Sequence, residues 1–215
     1  TRAMTQPFRS FVIFAEMRTG SNLLEATLSQ VPGIACHGEI FNPDHLGGPA
    51  VPDVLGLTMA ERVADPAALL ARVRKAPGLN GFRFFFDHEP RVLDEILADP
   101  RCAKIVLTRN PVDCYISLKI AYNTKRWRLS DIKDRIAWKP PFKPAEFEAF
   151  LEERQAFQLR LLNALQVSGL TSSGGLEPQH RAEVGLVAEA ARRNRAAVDV
   201  LVILAGLRRV IEQHA

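Results

Sequence analysis

Phe11-Val12-Ile13-Phe14-Ala15 is followed by Glu16-Met17-Arg18-Thr19-Gly20-Ser21-Asn22 and then by Leu23-Leu24-Glu25-Ala26-Thr27-Leu28. The apolar run predicts a buried strand, the polar stretch a tight turn, and the last part a helix. A helix N-terminus presents unpaired N–H groups and the positive end of its dipole. Arg18 adds a full charge there, so the loop suits an anion of phosphate shape. Gly20 lets backbone approach such a ligand, and Thr19, Ser21 and Asn22 bring polar side chains. Taken alone, the same residues also fit a capped helix after a strand, with Arg18 on the surface.

Outward from this stretch the pattern repeats. Val31-Pro32-Gly33 stops the first helix, and a turn-rich stretch from Ile34 to Pro43 carries His37-Gly38-Glu39. Residues 44–57, rich in Gly and Pro, predict a loop. Asp65-Pro66 opens a helix to about Lys75. Leu79 to Phe86 predicts a central strand, and Glu89-Pro90 a helix to about Ala98. Lys104 to Thr108 predicts a third strand, and Asn110-Pro111 caps a helix to about Tyr122. Strands alternating with helices predict one α/β domain over residues 1–215: a central parallel sheet with helices on both faces. Ligands of such sheets sit at the carboxyl ends of the strands. Those ends carry Arg18, Asp87-His88 and Arg109.

Residues 125–144 are basic and proline-rich, contain Trp127 and Trp138, and suit a lid or substrate loop. Pro144 to Val167 predicts a long amphipathic helix with Phe147, Phe150, Leu151, Phe157 and Leu161 on one side. From Thr171 the composition shifts to Ala, Arg, Gly and Val, and Val198 to Leu207 fits a last strand or a buried helix.

The bulk numbers narrow the function. With 215 residues the chain can bury a core, and a net charge of +4 suits an anionic ligand without a basic, aromatic-interleaved run for nucleic acid. Cys36, Cys102 and Cys114 are too far apart for a zinc site and odd in number, which fits buried thiols in a reducing compartment. No apolar run reaches the roughly 18–20 residues of a membrane span. Phe11 to Ala15 is too short for a signal-peptide core. A cytoplasmic location is the expectation. The oligomeric state is not legible.

A G-x-x-x-x-G-K-[ST] phosphate loop is the first comparison, and the chain departs from it: no lysine follows Gly20 and the first glycine is missing. A second anion segment is Arg109-Asn110-Pro111-Val112-Asp113-Cys114-Tyr115-Ile116-Ser117. Ser117 lies about two helical turns past Arg109, so both reach one ligand that lies along the helix. Two anion sites on strand ends predict a nucleotide with phosphates at both ends.

With these residues in place, the chain resembles the sulfotransferases that use 3′-phosphoadenosine 5′-phosphosulfate (PAPS). It is most similar to the bacterial carbohydrate enzymes of the trehalose and nodulation-factor type. The resemblance covers roughly residues 8–128. It implies a P-loop-NTPase-like three-layer fold. It implies that Arg18, Thr19, Gly20, Ser21, Asn22 and Leu23 bind the 5′-phosphosulfate, and that Arg109 and Ser117 bind the 3′-phosphate. It implies sulfuryl transfer to a hydroxyl or amine of a carbohydrate or lipid-linked acceptor, which can lie close to a membrane, with no metal. Arg18 is the candidate for charge on the leaving oxygens. Glu39 is the first candidate for the base and His88 the second. His37 is a neighbour that could orient Glu39, Trp127 is a candidate for adenine or acceptor contact, and Arg83 points to the cleft or pairs with Asp87 or Glu89. Similar sulfotransferases continue after the long helix with a Tyr-Glu-Asp-like turn, which residues 171–215 lack. A shift of reading frame after Leu170 is one account of that. The rival readings are a nucleotide kinase of P-loop-like fold and a non-catalytic nucleotide-binding protein.

Overall fold

The computed structural model describes residues 8–127, 138–167 and 198–203. The buried apolar run becomes strand β1 (Ser10–Phe14), and helix α1 (Ser21–Leu28) follows it. After α1 come β2 (Ile34–Cys36), a two-stranded hairpin of β3 (Asp53–Val54) and β4 (Leu57–Thr58), and helices α2 (Met59–Ala64) and α3 (Pro66–Lys75). Strand β5 (Leu79–Phe84) precedes a 3-10 turn at Pro90–Val92 and helix α4 (Leu93–Ala98). Strand β6 (Cys102–Arg109), helices α5 (Pro111–Thr124) and α6 (Pro144–Val167), and strand β7 (Val198–Ile203) complete the described chain.

One sheet of order β2-β5-β1-β6-β7 forms the centre. The first four strands are parallel, as expected from the alternation, and β7 runs antiparallel against β6 from Lys104 to Arg109. Over its described residues, Val198–Ile203, the last apolar stretch is therefore a strand, opposite in direction to the others. An antiparallel strand on the edge of a parallel sheet is a common arrangement and covers the open backbone groups of β6.

Strand alternation divides the core in two. Val12, Phe14, Phe82 and Phe84 face α3, α4 and α6, where Leu69, Leu70, Ile96, Phe157 and Leu161 are buried. Phe11, Ile13, Ala103, Ile105 and Leu107 face α1, which contributes Leu24 and Leu28 one turn apart. Burying such side chains is worth about 1.5–3 kcal/mol each before entropy is counted, so these two layers hold the sheet between its helices. β5 and β6 flank β1 on opposite sides, so the chain crosses over β1 between them. Crevices at such reversals lie beyond the carboxyl ends of the strands, here where the Arg18 loop and Arg109 emerge.

Several local expectations needed revision. Residues 53–57, expected as loop, contribute with Thr58 to the paired strands β3 and β4, and Thr58 caps α2 through a reciprocal capping box with Glu61. The S/T-x-x-E pattern of this cap lies at Thr58-Met59-Ala60-Glu61, directly after the Gly- and Pro-rich stretch. β5 ends at Phe84 rather than Phe86, and the helix expected from Pro90 begins as a 3-10 turn. The expectations placed on residues 128–137, 171–197 and 204–215 lie outside the described residues.

Candidate anion site and the carboxylate network beside it

Glu16, Met17 and Arg18 carry the chain from β1 to α1 through a strained turn. Arg18 has φ of 72° and Gly20 φ of 96°, both in the left-handed region. For Gly20 this costs nothing, whereas for an arginine it is uncommon and marks a constrained position. The Thr19 hydroxyl donates to the Glu16 carbonyl at 2.7 Å and is buried, so it builds the turn rather than facing outward. Helix α1 begins at Ser21 with no side-chain cap on its first N–H groups. Those N–H groups and the helix dipole favour an anion at this end. Asn22 and Leu23 sit exposed on the first turn, while Ser21 is buried.

The second segment meets the first in space. Asn110 caps α5 by accepting from Val112 N–H at 2.9 Å, with Pro111 at the first helical position as the sequence predicts. Arg109 Nη1 donates to the Arg18 carbonyl at 3.0 Å. Arg18 Nε donates to Ser117 Oγ at 2.9 Å, and its Nη1 donates to the Trp127 carbonyl at 2.6 Å. Burial first, and then the like charge of Arg109, push the Arg18 guanidinium below its ordinary range. Two guanidinium groups are thus gathered at a helix N-terminus, an arrangement that a bound anion relieves. Trp127 enters through its backbone, and its exposed ring packs edge-on against Tyr122 at 5.1 Å.

Glu39 and His88 come together in a second cluster. Arg83 Nη1 lies 2.8 Å from Glu39 Oε1, and Arg83 Nε lies 2.8 Å from Glu25 Oε2. Asn42 Nδ2 donates to Glu39 Oε2 at 2.8 Å. His88 Nε2 and His45 Nε2 stand 3.7 and 3.8 Å from the same oxygen. Burial raises the Glu39 pKa, but His88, the Arg83 charge and Asn42 outweigh it and hold the carboxyl down at about 2. His88 has a side chain 0% exposed, edge-on to Phe84 and tilted against Phe85, with neither ring nitrogen hydrogen-bonded.

The Arg83 expectation is corrected here: its partners are Glu25 and Glu39, not Asp87 or Glu89. Gly81 and Arg83 share the α1 face of β5, where Glu25 lies, while Asp87 and Glu89 fall beyond the end of the strand. His37 does not orient Glu39 either; its Nε2 pairs with Asn80 Oδ1 at 2.8 Å. Glu25 also accepts from the Gly38 N–H at 2.7 Å, which fixes the backbone beside Glu39.

Glu16 and Arg154 are functional candidates that the sequence reading missed. Both are buried, and they line a cavity of about 410 Å³ with Thr19, Thr108, Arg109 and Phe150. Two sequence signals mark them. Glu16 directly follows an apolar strand, and Arg154 falls in the helical stripe that also holds Phe147, Phe150, Phe157 and Leu161. Among the described residues no group of three or more His, Cys, Asp or Glu is placed to hold a metal. Among them also, no helix is long and apolar enough to cross a membrane.

No protein-family model, curated protein or solved structure matches this chain. The functional reading therefore rests on the residues themselves.

Proposed function

We propose that the chain is a PAPS-dependent sulfotransferase of P-loop-NTPase-like fold, acting on a hydroxyl or amine of a carbohydrate or lipid-linked acceptor. The observation that carries the reading is the hydrogen bond from Arg18 to Ser117, with Arg109 on the Arg18 carbonyl. Two candidate anion-binding segments distant in sequence thus meet at the carboxyl ends of adjacent strands. The residues fit such a donor: an uncapped helix N-terminus, Gly20 in the left-handed region and two adjacent cations.

When bound, the donor supplies an activated sulfuryl group on a phosphate leaving group. The chain's part is to bind, to orient and to hold charge. Gly20, Ser21, Asn22 and Leu23 present the start of α1 to the 5′ end, with Thr19 shaping the turn. Arg18 keeps its proton at working pH and neutralises charge at the leaving oxygens. Arg109 and Ser117 hold the 3′-phosphate. Glu39, ionised throughout the physiological range, receives the acceptor's proton, and His88, 3.7 Å from its carboxylate, is the alternative base.

A non-catalytic nucleotide-binding protein is the second reading. It is favoured by the commitment of Glu39 to Arg83 and Asn42, which is also how a structural carboxylate looks. Transfer of radiolabelled sulfonate from the donor, screened over glycans and glycolipids, tests the proposal. Tight binding of adenosine 3′,5′-bisphosphate with no transfer selects the second reading. Turnover of ATP with Mg²⁺ and none of the sulfonucleotide selects a kinase.

A further inference from the structure

The cavity between the ends of β1 and β6 and helix α6 adjoins the anion loop, shares Thr19 and Arg109 with it, and adds Glu16 and Arg154. Glu16 is 6% exposed, and neither of its carboxyl oxygens makes a hydrogen bond. Arg154, 7% exposed, holds its Nε 3.5 Å from Glu16 Oε2, as an ion pair without a hydrogen bond. Its Nη1 donates to the Phe150 carbonyl at 2.8 Å, and its guanidinium lies over the rings of Phe150 at 3.7 Å and Phe86 at 4.8 Å. Its other carboxylate neighbour, Glu153 at 3.2 Å, is exposed and screened by water. Arg109 Nε, on the same wall, is buried without a hydrogen bond.

Polar groups buried in this way need partners. A carboxyl in this position has two states with opposite consequences. Ionised, Glu16 neutralises Arg154. Protonated, it leaves Arg154 as a buried cation without a buried counter-charge, which is costly, and turns its O–H into a donor. Protonation of Glu16 therefore strengthens the pull of the cavity on an anion, and ionisation weakens it.

We propose that this cavity is a proton-dependent binding site for the oxyanion group of a small molecule, with Arg154 and Arg109 as its cations and Glu16 as the group that must carry a proton. The ligand class is a carboxylate or a sulfate or phosphate monoester with a body of about sugar size, since small-ligand pockets begin at roughly 300 Å³. Arg109 is shared with the proposed 3′-phosphate site, and Arg154 is the cation that belongs to this cavity alone. Glu16 faces Arg154 from α6, Cys114 from α5, Arg109 at the end of β6 and Asp87 in the turn after β5. Burial raises the Glu16 pKa to about 8, with Arg154 opposing and Asp87 adding to it. The Cys114 thiol, pushed up to about 11 by burial, stays neutral over the range tested.

The test is calorimetric titration of the full chain with sodium sulfate, which does not itself titrate, at pH 6.5, 8 and 9.5 and constant ionic strength. Sulfate affinity falls by more than about tenfold from the lowest to the highest pH, with net proton uptake near pH 8. Glu16→Gln binds at every pH without that dependence, and Arg154→Met, checked for folding by circular dichroism, loses about tenfold at pH 6.5. Absence of binding at pH 6.5, or a wild-type pH profile in Glu16→Gln, overturns the proposal. If Arg154→Met does not fold, the Glu16→Gln profile decides alone. Glucose 6-sulfate binds at least as tightly as sulfate, and binding about tenfold weaker overturns the small-molecule class. Failure of adenosine 3′,5′-bisphosphate to bind removes the nucleotide reading and leaves this one intact. Failure of Glu16-dependent sulfate binding does the reverse.

Discussion

Arg18 and Ser117, separated by 99 positions in the chain, share a hydrogen bond of 2.9 Å. The bond ties the loop after β1 to the helix after β6 and sets the arginine side chain along α5. Arg109 completes the link through the Arg18 carbonyl. The partners of the Arg18 guanidinium are thus a hydroxyl and a carbonyl, neither of which neutralises its charge. A phosphate meeting this group meets an uncancelled cation held in place, and charge-assisted bonds to such a cation are about twice as strong as neutral ones.

Ser117→Ala therefore weakens adenosine 3′,5′-bisphosphate binding by about 3–10-fold, the worth of one hydrogen bond and the orientation it gives Arg18. Arg109→Ala weakens the bisphosphate at least about tenfold more than it weakens adenosine 5′-monophosphate. Titration calorimetry of both nucleotides reads the difference. Equal losses for the two ligands would take Arg109 away from the 3′ end.

The elements behind this site were legible because their signals are local. An unbroken apolar run before a turn gives β1, and Asp65-Pro66 and Asn110-Pro111 place two helix starts at their observed positions. What stayed illegible depends on pairing across the chain. Arg83 sits in a strand with carboxylates on both sides of it in sequence, yet its partners come from α1 and from the loop after β2. Strand parity alone places Arg83 on the α1 face, but the choice among carboxylates needs the packing of α1 on the sheet. The direction of β7 was equally hidden, since an apolar strand carries no mark of its orientation. Glu16 read as the start of a turn, because its burial depends on α6 closing over it.

Glu39→Gln tests the second cluster in two ways. If Glu39 takes the acceptor's proton, turnover falls by about 10²–10⁴-fold with cofactor binding near normal. Unchanged turnover would pass the role to His88. Stability gives an independent reading. The folded carboxyl titrates at about 2, below the ordinary 4.5, so its contribution is present above pH 4.5 and is lost as pH falls towards 2. Solvent at this partly exposed group reduces the effect to about 1–3 kcal/mol. Urea unfolding between pH 6 and 2.5 shows a shallower acid decline in the variant, and identical declines would remove Glu39 from the ion-pair network.

Glu16→Gln shifts stability with the opposite sign. The folded carboxyl is raised from 4.5 to about 8, so its contribution is full below pH 4.5 and is lost as pH rises towards 8. The wild-type protein declines over that window by a few kcal/mol, on the order of 1.4 kcal/mol for each pH unit. The glutamine variant does not decline for this reason and is the more stable of the two, relative to pH 4.5, at pH 9. Thermal unfolding at pH 4.5, 7 and 9 reads the crossing, and parallel curves would mean that Glu16 is ionised in the folded protein at neutral pH.

Gly81→Ala reaches the Glu39 cluster from beneath. Gly81 pairs in register with Phe11 on β1 and Cys36 on β2, and a Cβ there would stand 2.3 Å from the Phe11 ring. The ring is buried between β1 and α1 and has little room to move. Overpacking of this kind costs about 1–3 kcal/mol. The Gly81 carbonyl also accepts the His37 N–H at 2.9 Å, and the Arg83 N–H donates to the Gly38 carbonyl at 2.9 Å, so these backbone bonds hold the segment that carries Glu39. A displaced β5 therefore perturbs the cluster as well as the core. Phe11→Leu makes room for the added methyl, and the cost of Gly81→Ala in that background falls by at least about 1 kcal/mol, a coupling within the range of contacting residues. Urea unfolding of the four proteins of the cycle measures it. An unchanged cost would show that the methyl is resisted by the strand backbone, and that the Phe11 ring does not set the spacing of β1 and β5.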